Sequence, residues 1–334
     1  MRNKFLVAAL VFITSSPLFA QGIFNRLGDW HFSIEPHIGY TYGQIGEYVF
    51  NKISSTDDRK LSELQWDEKP VLTFGADLCG GYKDIFLQIA FTKGMSSQPC
   101  GSMEDSDWMN NNDYNMKTTR SISENTLTSY TDVSARAGYT FHILSWLSLA
   151  PFAEFEYQYR EFSANNAYGW YGNKRTPMVS WDDPLAIYYA AGTLCGIDYS
   201  HMVLATFAGG SARLELPHNF SIKFSLAISP FLYEEAKDTH YKKIDKSSST
   251  QYLDIIQAVW FGSLKSSLAV YCALNRYFDL GLTFSARACW LHKGITATKN
   301  SQGKYIEQSN SKSGMDLYEL NMRLSLVWHL GGRR

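Results

Sequence analysis

Apolar and polar residues alternate one by one along much of this chain. The last such stretch is the cleanest: Leu320, Met322, Leu324, Leu326, Trp328 and Leu330 interleave with Asn321, Arg323, Ser325 and His329. A period of two gives a strand with one apolar face. The same period runs through Phe32, Ile34, Ile38, Tyr40 and Tyr42, through Leu147, Leu149, Ala153, Phe155, Tyr157 and Tyr159, and through Phe220, Ile222, Phe224, Leu226 and Ile228. The connections come in two sizes. Short ones lie around 83–84, 142–146, 217–219 and 275–278, and long polar ones span about 43–70, 92–126, 161–184, 232–254 and 293–315. The two sizes alternate, as they do when strands cross a membrane up and down with tight periplasmic turns and large outer loops. Five loops and four turns require ten strands. The pattern therefore predicts an all-β fold, a ten-stranded antiparallel up-and-down transmembrane β-barrel with long extracellular loops. A β-sandwich also alternates, but its turns would come every 8–12 residues without separating into two sizes. Residues 185–216 are about twice the 9–11 residues of one membrane-crossing strand, so part of that segment must extend past the bilayer or loop.

The N-terminus fits that compartment. Arg2 and Lys4 precede an unbroken apolar run over residues 5–13, and Ala20 offers a small residue before Gln21. This predicts a removable signal peptide over residues 1–20 and a single barrel domain over 21–334. The apolar run is about half the roughly 20 residues of a spanning helix, and nothing after Gln21 supplies a longer one.

Composition adds three constraints. A formal charge of −1, more negative once Arg2 and Lys4 leave with the leader, argues against nucleic acid as a partner. The 15% aromatic content suits interfacial girdles. The five cysteines are an odd number, widely spaced and without CxxC, which argues against a zinc site. Cys79, Cys272 and Cys289 fall in alternating segments and read as small hydrophobes. His37, His142, His292 and His329 read as lumen or surface groups without assigned chemistry.

Two of the long connections carry paired reactive groups. One holds Met103-Glu104-Asp105-Ser106-Asp107-Trp108-Met109 and the other Ala236-Lys237-Asp238-Thr239-His240-Tyr241. In extended chain, residues i and i+2 project to the same side, so each pair would enter one space. Both connections stand on the same side of the membrane, and strands three and seven lie nearly opposite in a ring of ten. Acidic loops are most often merely solvated, and clustered oxygens would equally suit a divalent cation.

At these residues the chain resembles the omptins, outer-membrane endopeptidases of ten strands. Gly46-Glu47-Tyr48-Val49-Phe50 is similar to the family's first-loop segment, Leu61-Ser62-Glu63-Leu64-Gln65-Trp66 to the approach to the second strand, and MEDSDWM and DTHY to its two catalytic stretches. The resemblance covers most of residues 30–330. It implies that Asp105 and Asp107 form a carboxylate pair, that Asp238 and His240 form a dyad activating water, and that Glu47 receives a basic substrate side chain. It implies no cofactor and no metal, peptide or protein substrates, and an outer-membrane location with the site facing outward. Lipopolysaccharide enters as a further expected partner, with Arg160 as its one matching contact. The alternatives are an inactive barrel kept as an adhesin or surface scaffold and, last, a small-solute channel, since ten strands enclose little beyond their own side chains.

The family pattern is not followed everywhere. Its second acid for a basic side chain would fall at Ala236, beside Lys237, and Lys117 and Thr118 stand where an acid would serve the residue beyond the cut. These departures argue against a strict dibasic preference. Gly331-Gly332-Arg333-Arg334 follows Leu330 in place of a terminal aromatic.

Overall fold

A computed structural model describes residues 29–54 and 58–332. The expected signal peptide over residues 1–20 lies outside the described residues. Fifteen strands form among them, all paired antiparallel: β1 (Trp30–Lys52), β2 (Asp58–Tyr82), β3 (Ile85–Gly94), β4 (Gln98–Asp107), β5 (Thr119–Tyr139), β6 (Phe141–Leu144), β7 (Leu147–Tyr171), β8 (Ile187–Tyr189), β9 (Ile197–Leu216), β10 (Phe220–Tyr241), β11 (Ser249–Val259), β12 (Ser263–Ala273), β13 (Phe278–Lys299), β14 (Tyr305–Glu307) and β15 (Ser311–Leu330). β3 and β4 both sit between β2 and β5, and β11 and β12 both sit between β10 and β13. Each couple is therefore one barrel position interrupted by a kink, and β6, β8 and β14 are short additions to neighbouring strands. Ten positions remain, and the pairing of β1 with β15 closes the ring.

Closure satisfies every strand edge, the condition for a sheet to cross lipid. On β1, Ile38, Tyr40 and Tyr42 point outward while His37 and Thr41 are buried in the lumen. The same division holds on β13, where Leu280, Leu282 and Phe284 face out, and on β15, where Leu320, Met322 and Leu324 do. An apolar exterior over a polar interior is the membrane-crossing arrangement.

The strands run far beyond that band, at 20 to 25 residues for β1, β2, β5, β7, β9, β10, β13 and β15. The segment 185–216, too long for one crossing, is accordingly β9 plus the short β8. The long connections expected as loops are mostly strand. Among the described residues, the stretches without strand at their tips are 53–54, 108–118, 172–186, 190–196, 242–248, 300–304 and 308–310. Above the band the faces exchange character: Leu64, Trp66, Met103, Ile256, Met315 and Leu317 point inward as one apolar core, while polar residues such as Glu63, Gln65 and Asp67 face out. Inward packing carries the ladder past the bilayer, because strands with one buried face remain stable in water. This core fills the barrel beneath its mouth and sets the floor on which the reactive residues stand.

Candidate active site

Asp105 and Asp107 lie on β4, Asp238 and His240 on β10, and Glu47 on β1, all on strands rather than on the loops expected for them. The hydrogen-bond ladder fixes their level. Asp105 is opposite Leu64 on β2, and Leu64 is opposite Glu47 on β1. Asp238 pairs with Tyr199 on β9 and Tyr252 on β11, and His240 with Ile197 and Thr250. The alternation of β10 puts Asp238 and His240 on the inward face with buried Ala236, and β4 carries Asp105 and Asp107 in step with buried Met103. The two pairs face one another across the mouth.

On β10, the His240 Nε2 and Asp238 Oδ2 atoms are 2.6 Å apart. Asp238 is buried, its other oxygen has no hydrogen-bond partner, and the imidazole is about one-third exposed. The Tyr252 ring stands edge-on to the imidazole at 5.4 Å and fixes its plane. Burial pulls the imidazole pKa down, but the Asp238 hydrogen bond and charge, with the charges of Asp105 and Asp107, carry it above its ordinary value. Across the mouth, burial and the neighbouring Asp107 push the Asp105 carboxyl up to about 7. Asp107 is raised by burial against a hydrogen bond from Ser62. Its backbone carbonyl accepts from the Thr118 amide at 2.7 Å, which closes the connection above β4. The arrangement offers an oriented base on one wall, an anionic acceptor pair on the other, and a gap between them.

Glu47 is 3% exposed, with one carboxyl oxygen unpartnered, and burial with the charges of Asp238 and Asp254 raises its pKa well above the usual range. Beneath it the rings of Trp66 and Tyr199 stack at 4.7 Å and those of Trp66 and Phe162 at 5.8 Å. Asp254 and Tyr199 belong to this cluster although no local pattern marks either one. Asp254 sits alone in Leu253-Asp254-Ile255, and only the pairing of β11 with β10 and β13 reveals where it points.

Other residues singled out in the sequence fall elsewhere. Arg160, expected as a lipopolysaccharide contact, is wholly buried in the lumen, bonded to Glu319 and to Glu68 with Nε 2.6 Å away. An inward position on β7 leaves it no path to lipid. Lys117 bonds Glu104 at 3.2 Å, on the face of β4 opposite the carboxylate pair. His37 bonds Thr92, His329 lies 2.9 Å from Asp279, His142 is near Asp84, and His292 is 3.3 Å from the Gly262 carbonyl. None of the four histidines joins the mouth cluster.

A model of the Omptin family matches residues 29–330. No curated protein sequence matches the chain. Among solved structures, the outer membrane protease OmpT from Escherichia coli superposes with a TM-score of 0.78 at 14% identity, covering 90% of this chain and 96% of that one. The translocator domain of autotransporter NalP from Neisseria meningitidis aligns at a TM-score of 0.29 and 8% identity, over 94% of this chain and 96% of that one. The P. putida toluene transporter TodX aligns at 0.27 and 6%, over 89% and 90%. The OmpT likeness establishes the shared barrel architecture.

Proposed function

The chain belongs to the Omptin family of outer-membrane proteases, and we propose that it is an endopeptidase in which Asp238 and His240 activate a water molecule held against Asp105. The observation that carries this reading is the 2.6 Å Asp238–His240 contact directed at a second carboxylate pair on the facing wall. With Nε2 occupied by Asp238, His240 keeps Nδ1 for the water. As the water oxygen bonds to the scissile carbonyl carbon, His240 takes its proton, and Asp238 stabilises the imidazolium that forms. The same proton then passes to the leaving nitrogen as the carbon–nitrogen bond breaks. Asp105 holds the water from the other side, and Asp107 adjusts the charge of Asp105 through like-charge repulsion. No covalent intermediate is required.

Substrates on this reading are peptides or proteins, with Glu47 favouring Lys or Arg on the amino side of the cut. A buried carboxylate rewards a matched cation through charge-assisted hydrogen bonds and leaves an unpaired charge beside an apolar side chain. The mouth faces the cell exterior. A cysteine introduced at Asn111 is expected to react with an impermeant thiol reagent on intact cells, and one at Asp84 to stay unlabelled; the reverse pattern would invert the topology.

Refolded protein incubated with a mixed peptide library, with cut sites read by mass spectrometry, tests the activity. Cleavage that survives chelators supports activated water, whereas loss with chelator and recovery with a divalent ion would make the carboxylates metal ligands. Absence of cleavage in every lipid condition would return the barrel to an adhesin or scaffold role.

A further inference from the structure

We propose that Asp254 is a specificity-determining residue, the second carboxylate of a pocket that takes the cationic side chain of a Lys or Arg substrate. This rests on the endopeptidase reading and assigns a residue that the family pattern does not mark. The position expected for a second acid is Ala236, 1% exposed and facing inward on β10. Ala236 and Asp254 are direct cross-strand partners. Side chains opposite one another on the same face of a pair have Cβ atoms about 4.5–5.5 Å apart. A carboxylate at Asp254 therefore enters nearly the space that one at Ala236 would enter, from the next strand.

The groups around it form a buried acidic pocket. Asp254 is 2% exposed and Glu47 3%, and burial, helped by the charge of Asp254, pushes the Glu47 carboxyl up. Thr296 on β13 is the direct cross-strand partner of Asp254. One oxygen of each acid remains without a partner, as do the Tyr199 hydroxyl and the Trp66 indole nitrogen. Tyr199 lies among the charges of Glu47, Asp254, Glu234 and Asp238 from β1, β11 and β10. Asp238 is already engaged by His240, so Glu47 and Asp254 are the pair left for a ligand. Lys237 does not neutralise them, because it faces outward and bonds Glu235 at 2.6 Å. Buried polar groups without partners are rare in structures, and a matched cation would supply the partner here. Burial raises both carboxyls above their usual range, so the incoming ammonium or guanidinium takes the place of a proton, which leaves to solvent.

The test compares kcat/KM for two peptides that differ only at the residue before the cut, Arg against Leu, using refolded protein whose heat-modifiable gel migration confirms a closed barrel. Asp254→Asn is expected to lower the Arg-to-Leu ratio about 10–100-fold, the range for a lost hydrogen bond to a charged group. Adding Ala236→Asp to that variant is expected to restore much of the ratio, since the new acid enters the same space from β10. A purely structural role for Asp254 would give loss without that recovery. A wild type that discriminates while Asp254→Asn keeps the full ratio overturns the role of Asp254 alone. A wild type that cleaves neither these peptides nor the library overturns the endopeptidase reading and this role together.

Discussion

The lumen and the mouth of this barrel treat charge in opposite ways. Within the lumen, Arg160 is bound by Glu68 and Glu319, Arg287 by Glu156, and Lys265 by Glu154 and Glu156. Every one of these cations has a carboxylate beside it, which is how a low-dielectric interior tolerates ions. At the mouth, Glu47, Asp105, Asp107, Asp238 and Asp254 converge with His240 as the basic group among them. These ion pairs tie the strands of the lumen together. The mouth is held open by the fold around it and has reactivity to give to a ligand.

The sharpest way to break that contrast is to remove the base. His240→Ala and Asp105→Ala are each expected to lower kcat roughly 10²–10⁴-fold, with the heat-modifiable gel shift unchanged, since neither residue supports the ladder. The double variant should be little worse than the worse single one, because groups acting as one unit are not additive. Full activity in His240→Ala would remove the dyad from the mechanism.

The lumen answers with stability instead. Arg160→Met leaves Glu68 and Glu319 buried without their cation, and is expected to cost about 3–5 kcal/mol in urea unfolding. The variant that still folds should keep the wild-type pH profile. A shifted profile would mean that the two regions are electrically coupled.

The pH dependence of activity comes next. Asp105 titrates near 7 and His240 above its usual value. On the proposed mechanism both act unprotonated, so kcat/KM for a neutral peptide should fall about tenfold per unit as the first is protonated, approach about a hundredfold per unit below both, and level off on the alkaline side. A profile flat down to pH 5 would contradict these protonation states.

The smallest effect sharpens the contrast from the other direction. An acid whose folded pKa is raised weakens the fold as pH climbs from its unfolded value toward its folded one. Asp105→Asn should therefore add about 1 kcal/mol of stability at pH 8, screened by partial exposure, and nothing near pH 3. A loss of stability at pH 8 would show that the Asp105 charge supports the fold.

Much of this was legible in the residues themselves. The period of two in β15 and β1, the alternating connection sizes and the i, i+2 pairs Asp105/Asp107 and Asp238/His240 give ten barrel positions and two same-face reactive pairs. They do so because side-chain direction along an extended chain is a local property. The long connections misled for an equally physical reason. Above the bilayer the strands keep their alternation but exchange which face is apolar, so Leu64 and Trp66 point in where Phe74 and Leu78 point out. A search for membrane-facing strands stops at that exchange. Arg160 is basic on paper and becomes a lumen ion only when the ring closes Glu319, 159 residues away, against it. Asp254 is likewise one acid in an unremarked segment until β11 pairs with β10 and sets it opposite Ala236. Local periodicity determined that strands form and which side chains share a face. Which faces meet, and which charges find partners there, was decided only by register and closure, since both join residues far apart in the chain.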